Sequence, residues 1–594
     1  MQTYTKTLII VLLTLSTLVA CTSKVEPLTQ TKAPNIIIVM TDDQGYGDLG
    51  FHGNPILKTP NLDRLAKESV RFTDFHVSSF CTPTRAALMT GNYAGYTGAF
   101  RTSSGRTMMH RDQKTIANLF SDAGYVTGMV GKWHLGDNAP HRPQDRGFDD
   151  VVWHRAGGVG QAPDYWGNDY FDDTYERNGV FEKFEGYVTD IWFEEAIKFI
   201  DKNKSSPFLL YLPLNAPHGP YFVPEEWAAP YKNQPNVNNA NFYGMIANID
   251  HNMGLLRDHL EQTGLDENTI LIFMTDNGTS AGARFEGLNS EAILGFNAGM
   301  RGKKSSVYDG GHRVPFFIHW PAGGLAGGRE IDRLSAHIDV LPTLAELAGI
   351  EIPEGYDLDG LSLKPLLEEN DKDWHREHLV VQYHGGPRAN AMPPQPQRFS
   401  VVMTERWRLL LDPDGTGKTE LFDITKDPAQ RENLVAQFPE VVESLKSAYQ
   451  PFWDRVSPRL TPVSIDIGNV TEPHSVLSSQ DWHMETGNPP WNFRQISKLP
   501  KVTGPWHIEV KRSGNYRLTL RQFPKEANRD LVAEKASLEI FGFNVEKRVT
   551  PGDKGVAFEL TLPAGPTQLK TYLYDSEGLV GGAYFVDVEW LGES

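Results

Sequence analysis

Two carboxylate-bearing runs stand at the ends of strongly apolar segments. Asn35 to Thr41 (NIIIVMT) leads directly into Asp42-Asp43, and Thr269 to Thr275 (TILIFMT) leads directly into Asp276-Asn277-Gly278. Apolar, β-branched runs of this length suit buried parallel strands, and open α/β sheets gather ligand groups at the carboxyl ends of their strands. Either polar run alone also reads as a turn that ends a strand. Together they would bring three carboxylates and an amide carbonyl to one place, where they repel each other unless a cation holds them. All-oxygen ligands favour a hard ion, and Ca²⁺ tolerates irregular geometry better than Mg²⁺. Asp42, Asp43, Asp276 and Asn277 are therefore candidate ligands of one Ca²⁺ ion.

The second chemical signal is Cys81-Thr82-Pro83-Thr84-Arg85, followed by Ala86-Ala87-Leu88-Met89-Thr90-Gly91. Pro83 lies near the start of a helical pattern that Gly91 closes, so Cys81 falls at or near a helix N-terminus. The free N–H groups and the dipole there favour anions, and Arg85, one turn on, can project to the same end. Such an environment suits a sulfate or a phosphate. It also lowers a thiol pKa, so a cysteine nucleophile is one reading of Cys81; a small buried hydrophobe is another. The sequence holds only two cysteines, Cys21 and Cys81.

The elements that must position these residues follow from periodicity. Apolar runs at 35–41, 208–214 and 269–275 alternate with helical patterns at 61–69, 115–123, 241–262 and 339–348, which predicts an α/β unit with a mostly parallel sheet sandwiched by helices. From about residue 378 short strands at 380–384, 400–404, 408–411 and 420–424 precede a helix at 439–453, the pattern of a small antiparallel sheet with one helix. Beyond 461, six alternating segments between 506 and 590 are separated by Gly-rich turns and predict a β-sandwich-like domain. The expected organisation is a catalytic α/β domain over 34–370, a subdomain over 371–460 and an accessory β-rich domain over 461–594.

The N-terminus reads as an export segment. Lys6 precedes the apolar stretch Leu8 to Ala20, which is too short to span a bilayer as a stable helix. It ends in Leu18-Val19-Ala20-Cys21, which resembles a bacterial lipobox. That resemblance implies a lipoprotein signal over 1–20, a lipid anchor on Cys21, a tether over 21–33 and a bacterial cell-envelope location. With Cys21 lipidated, Cys81 has no intrachain disulfide partner. The net charge of −18 argues against nucleic-acid binding, and it means an anionic substrate needs a locally basic pocket.

The Cys81 to Gly91 segment resembles the signature of type I sulfatases of the alkaline-phosphatase superfamily. Further blocks similar to that family occur in order: Asp42-Asp43-Gln44-Gly45-Tyr46-Gly47-Asp48, Gly131-Lys132-Trp133-His134-Leu135-Gly136, Ala216-Pro217-His218, Thr275-Asp276-Asn277-Gly278, and Arg301-Gly302-Lys303-Lys304 leading into Tyr308-Asp309-Gly310-Gly311-His312-Arg313. Asp309 stands where Glu is commoner. Spacing from Arg301 to Tyr308 matches Lys304 to the family lysine, and a one-residue slip would exchange it for Lys303. The resemblance spans about residues 34–460. It implies that a maturation enzyme oxidises Cys81 to Cα-formylglycine, whose hydrate is the nucleophile and also contacts the Ca²⁺ held by Asp42, Asp43, Asp276 and Asn277. It further implies that Asp276 takes the first diol proton, that His218 with Lys304 assists the departing alcohol, and that Lys132 bridges sulfate and formylglycine. Arg85 would fix the diol, and His134 would remove its second proton so that sulfate is expelled.

The implied function is sulfuric ester hydrolysis. The envelope location and the aromatic content point to a sulfated glycan, such as an algal polysaccharide or its oligosaccharides, with Trp153, Trp166, Trp192, Trp482 and Trp491 as candidate sugar-stacking side chains beside the alternative of core packing. The segment 478–493 either folds back toward the pocket or merely links the last domain. Competing readings are a generic arylsulfatase, a phosphodiesterase or phosphonate monoester hydrolase of the same superfamily, and a glycan-binding lipoprotein that has lost catalysis.

Overall fold

The structure is a computed structural model that describes residues 33–383, 394–484 and 487–593. The expected export signal, Cys21 and the tether as far as residue 32 lie outside these residues. No helix among the described residues is long and apolar enough to cross a membrane.

The first unit is built on a ten-stranded sheet. Its centre is parallel: Asn35–Thr41 lies between Phe208–Pro213 and Thr269–Thr275, followed on one side by Val126–Lys132 and Asp150–His154. Antiparallel pairs enter toward the flanks, through Phe316–His319 beside Thr269–Thr275 and through Thr174–Arg177 beside Asp150–His154, while the edge pair of Glu330–Ile331 and Val70–Phe72 is parallel. The expected mostly parallel sheet is thus present, with antiparallel pairs mixed in toward its edges. Every residue of the three central apolar strands is buried, as expected for strands covered on both faces. Ile36, Ile38 and Met40 pack into one core and Ile37 and Val39 into the opposite one, which is the period-two alternation of a pleated strand.

Register positions the chemistry. Thr41 pairs with Thr275, so Asp42 and Asp276 leave neighbouring strands at the same level. Asp276 N–H donates to the Thr41 carbonyl at 3.1 Å and Asp42 N–H to the Ala216 carbonyl at 3.0 Å, extending the ladder just past the strand ends. Val126–Lys132 ends in Lys132 at the same edge. Gly131 lies at φ +122°, and a Cβ there would stand 2.1 Å from the Pro213 carbonyl oxygen, so only glycine lets this strand approach the chain leaving its neighbour.

Leu379–Gln382, Ser400–Met403, Trp407–Leu411 and Thr419–Asp423 form a four-stranded antiparallel sheet with the helix Pro439–Val456 against it. Residues 465–592 form two further sheets, of six and four strands, that share one core containing Trp482, Trp506, Tyr516, Leu518, Leu538 and Val586. Pairing is antiparallel apart from Ile465–Ile467 beside Trp506–Val510. Gly514–Arg521 alternates buried and half-buried side chains along its full length, the pattern of a sandwich strand. Met108 and Ala162 of the first unit are buried in this same core. Arg142–Glu472 and Arg111–Asp466 ion pairs bridge the two units.

Candidate active site

Cys81 is the first residue of the helix Cys81–Thr90, all ten residues of which are buried. Ala86 to Met89 are good helix formers, and Gly91 at φ +67° ends the helix with its N–H on the Ala87 carbonyl. Thr84 Oγ1 lies 2.6 Å from the Asp276 carbonyl oxygen, tying this helix to the end of the Thr269–Thr275 strand. Arg85, wholly buried, donates from Nη2 to Asp276 Oδ2 and from Nη1 to the Lys132 carbonyl, each at 2.9 Å. A buried guanidinium requires such partners.

Each carboxylate at the strand ends has its own cation. Lys132 Nζ lies 2.6 Å from Asp42 Oδ2, Lys304 Nζ 2.5 Å from Asp43 Oδ1, and Arg85 2.9 Å from Asp276. Asn277 Nδ2 donates to Asp43 Oδ1 at 3.0 Å, and Asp43 N–H to Asp276 Oδ1 at 3.0 Å. Burial, and then the neighbouring Asp42, push the Asp276 carboxyl above its usual range; burial also acts upward on Asp43, but Lys304 and His218 outweigh it and hold Asp43 low. Two observations fit a cation here. The buried Asp42 Oδ1 and Asn277 Oδ1 have no hydrogen-bond partner among the described residues. Ligand atoms of Asp42, Asp276 and Cys81 also lie within 4.8 Å of one another. A second buried cluster, Asp74, His76 and Asp309, already contains its own cation, since Arg408 reaches Asp74 at 2.6 Å and Asp309 at 3.3 Å. Asp309 thus serves the joint between the first two units.

Cys81 opens into a cavity of about 260 Å³ together with His134, His218 and Lys304. Cys81 Sγ lies 3.5 Å from His134 Nδ1, and His134 Nε2 lies 3.2 Å from the Thr102 carbonyl. A carbonyl can only accept, so Nε2 carries the hydrogen and the Nδ1 lone pair faces residue 81. Burial, followed by the charges of Lys132 and Arg85, holds His134 well below the usual histidine range, which keeps it a neutral base. His134 sits at φ +59°, and its ring is pressed by Gly157, where a Cβ would lie 2.2 Å from Nε2. His218 Nδ1 donates to the Gly219 carbonyl at 2.6 Å, leaving Nε2 toward Asp43 at 3.7 Å. Burial lowers His218 to about 4 despite Asp43, and an entering anion opposes that shift by electrostatic attraction. Burial pushes the Cys81 thiol up even with Lys132 and Lys304 nearby, so the unmodified thiol is not activated as a thiolate nucleophile needs.

All of the residues singled out in the sequence, Asp42, Asp43, Cys81, Arg85, Lys132, His134, His218, Asp276, Asn277 and Lys304, belong to this connected assembly. Between the two adjacent lysines it is Lys304 that reaches the cavity; Lys303 Nζ instead lies over the Phe285 ring at 5.5 Å. Sequence reasoning missed Arg101, Gln161, Tyr383 and Asn488, which also line the cavity. Loop residues of this kind carry no periodic signal. Among the described residues, Trp491 is the one tryptophan that lines it. Trp153, Trp192 and Trp482 are fully buried core residues, and Trp166 packs on Phe493 and Phe523 between the units.

Fold and site together define an α/β protein whose reacting position lies at a helix N-terminus among paired carboxylates and cations, an arrangement suited to an anionic ligand. Residues 34–350 match the Sulfatase family model and residues 301–451 match that described as N-sulphoglucosamine sulphohydrolase, C-terminal. Among relatives, the chain is 28% identical to an uncharacterized sulfatase, YdeN, of Escherichia coli (strain K12), over 73% of this chain and 87% of the relative. It is 29% identical to an ulvan-active sulfatase of Formosa agariphila, over 71% and 81%. A solved structure of Ps i-CgsB in complex with k-i-k-neocarrahexaose is 30% identical, with a TM-score of 0.61, over 73% of this chain and 95% of that one. The chain belongs to the sulfatase family and is a sulfuric ester hydrolase.

Proposed function

We propose that the protein removes sulfate from a sulfated carbohydrate, with Cys81 matured to Cα-formylglycine and one Ca²⁺ held by Asp42, Asp43, Asp276 and Asn277 beside it. The observation that carries the reading is the cavity itself: the neutral His134 lone pair faces residue 81, and His218 and Lys304 line the same space. The carbohydrate class is supported by the relatives whose names and ligands are ulvan and a neocarrahexaose. The hydrated aldehyde supplies an oxygen nucleophile with a second hydroxyl, and the cation supplies Lewis-acid stabilisation of charge on sulfate oxygens.

The chain's own residues do the rest. Arg85 and Lys132 neutralise the charge that gathers around residue 81 in a buried, low-dielectric site. Asp276, at the end of its strand beside residue 81, accepts the proton from the attacking oxygen. His134 is oriented by the Thr102 carbonyl to take the second. His218 and Lys304 stand where a departing alcohol oxygen receives a proton or a charge-assisted hydrogen bond. Arg85, Lys132 and Lys304 offset the three carboxylates, so a bound Ca²⁺ would leave the site net positive and attractive to an anion on a chain of net charge −18. The leader ending in Leu18-Val19-Ala20-Cys21 supports export to a bacterial envelope and a lipid anchor on Cys21, where polymers too large to import meet the enzyme.

The test is a panel of defined sulfated oligosaccharides, with desulfation and its position read by NMR, run beside phosphodiesters and a phosphonate monoester. Sulfate release from at least one glycan, faster than any phosphoester cleavage, is the expected result. Fast phosphodiester cleavage with no sulfate release from any glycan would overturn the proposal.

A further inference from the structure

The residues assigned to chemistry all lie between Asp42 and Lys304, yet the cavity they share is closed by Asn488 and Trp491. These come from the C-terminal β unit, beyond the last residue, 451, that any family model matches. The segment that carries them is held from both sides. Within its own unit, Ser479 N–H donates to the Tyr584 carbonyl at 2.7 Å and Ser479 Oγ to the Pro490 carbonyl at 2.5 Å. Trp491 N–H donates to Gln495 Oε1 at 2.9 Å. Toward the catalytic unit, Ala162 N–H donates to the Trp491 carbonyl at 2.9 Å and Phe493 N–H to the Gly160 carbonyl at 3.1 Å, while Ser104 N–H donates to the Gln480 carbonyl at 2.8 Å. The backbone of residue 491 is therefore fixed, and so are the two loops, 101–104 and 157–162, that form the adjacent walls.

The Trp491 side chain is treated differently from its neighbours. Trp482 and Trp506 are sealed in the β core at 0% exposure, whereas Trp491 stays half-buried on the cavity wall. An indole fixed at its backbone and left partly open to a basic pocket exposes apolar surface that packing would otherwise cover. The apolar face of a pyranose ring covers such a surface while its hydroxyls reach the polar groups at the rim, here Arg101, Gln161 and Asn488.

We infer that the C-terminal β unit completes the active site, and that Trp491, with Asn488, is a sugar-binding wall that positions the ring bearing the scissile sulfate or its neighbour. This rests on the proposed sulfated-carbohydrate substrate and adds that recognition is shared between two units of the chain.

The experiment compares Trp491→Ala, Trp491→Phe and Asn488→Ala in the full-length matured enzyme, on the best glycan of the panel and on 4-nitrophenyl sulfate. Removing a well-seated aromatic contact is expected to lower kcat/KM on the glycan by about 30-fold, chiefly through KM, with a change of under about 3-fold on the aryl sulfate. Trp491→Phe should recover most of the loss, since it keeps a ring. An equal fall on both substrates, as from a merely structural role, or an unchanged glycan KM in Trp491→Ala, would overturn the inference while the substrate reading stands. A wild-type enzyme that desulfates no glycan but cleaves the aryl sulfate would overturn the substrate reading and this inference with it.

Discussion

His134 offers a perturbation whose consequence is set by local geometry. Its Nδ1 is 3.5 Å from Cys81 Sγ and its Nε2 is tied to the Thr102 carbonyl, so the account makes it a neutral base aimed at residue 81. The backbone at φ +59° restricts the substitutions that can be interpreted: alanine would add strain there, whereas glycine is at ease at positive φ. His134→Gly therefore removes the imidazole without forcing the chain, and it opens space directly onto the cavity. General-base catalysis is worth about 10²- to 10⁴-fold, or about 3–5 kcal/mol of barrier, so kcat on an aryl sulfate should fall by that factor, and KM should fall with it because the lost base serves the step after attack. Because the vacated volume adjoins the cavity, added imidazole should restore part of kcat in a concentration-dependent way at fixed pH. His134→Asn, which also tolerates the left-handed backbone, should be as slow but less well rescued, since its side chain fills part of the gap. The assay is steady-state sulfate release with circular dichroism as a check on folding. A folded His134→Gly enzyme that kept kcat within about 10-fold of wild type would refute the assignment, because that lies below the range expected for a lost base.

Lys132→Met keeps the side-chain length and removes the charge 2.6 Å from Asp42; breaking a wholly buried pair should destabilise the catalytic unit by about 3–5 kcal/mol and lower kcat by about 10²-fold or more, read by denaturant unfolding and initial rates. Chelation with EGTA should abolish activity, with Ca²⁺ restoring it and raising the thermal midpoint, because a ligand that binds only the folded state stabilises it; full activity after exhaustive chelation would exclude the cation. Acid sensitivity should trace in part to Asp74: burial acts to raise its pKa, but Arg408 and His76 outweigh it and hold the group below its usual value of 3.8. A depressed carboxylate stabilises the fold fully above its unfolded pKa and loses that contribution as pH falls through the folded one. Asp74→Asn should therefore be less stable than wild type at pH 6, with the gap narrowing below about pH 4.

Much of the site could be read in the chain because its ligands follow uninterrupted apolar strands. Asn35–Thr41 and Thr269–Thr275 form over the same residues as their apolar runs, whose shortness and β-branched content mark a strand where period alone does not. Val126–Lys132 escaped notice because Gly128 and Gly131 interrupt its pattern; both glycines are there for close approach, to the Phe199 ring and the Pro213 carbonyl. The helix Val188–Asn203 was missed between polar loops, although its buried face of Ile191, Trp192, Ala196 and Phe199 has helical spacing. The antiparallel pairs toward the flanks of the sheet are invisible in sequence, since strand order depends on which edges meet. Aromatic content left the tryptophans open between sugar stacking and core: Trp153 and Trp192 are core, and three-dimensional closure by a distant segment is what separates Trp491 from them. Arg101 and Gln161 gain their meaning in the same way.

The proposed mechanism turns on what residue 81 becomes. Mass spectrometry of the Cys81-containing peptide, taken from active protein matured in a host that has the formylglycine-generating enzyme, addresses it directly. An aldehyde or its hydrate is expected at position 81, in a fraction that tracks specific activity across preparations, with no activity in Cys81→Ala. An unmodified thiol throughout a fully active preparation would contradict it.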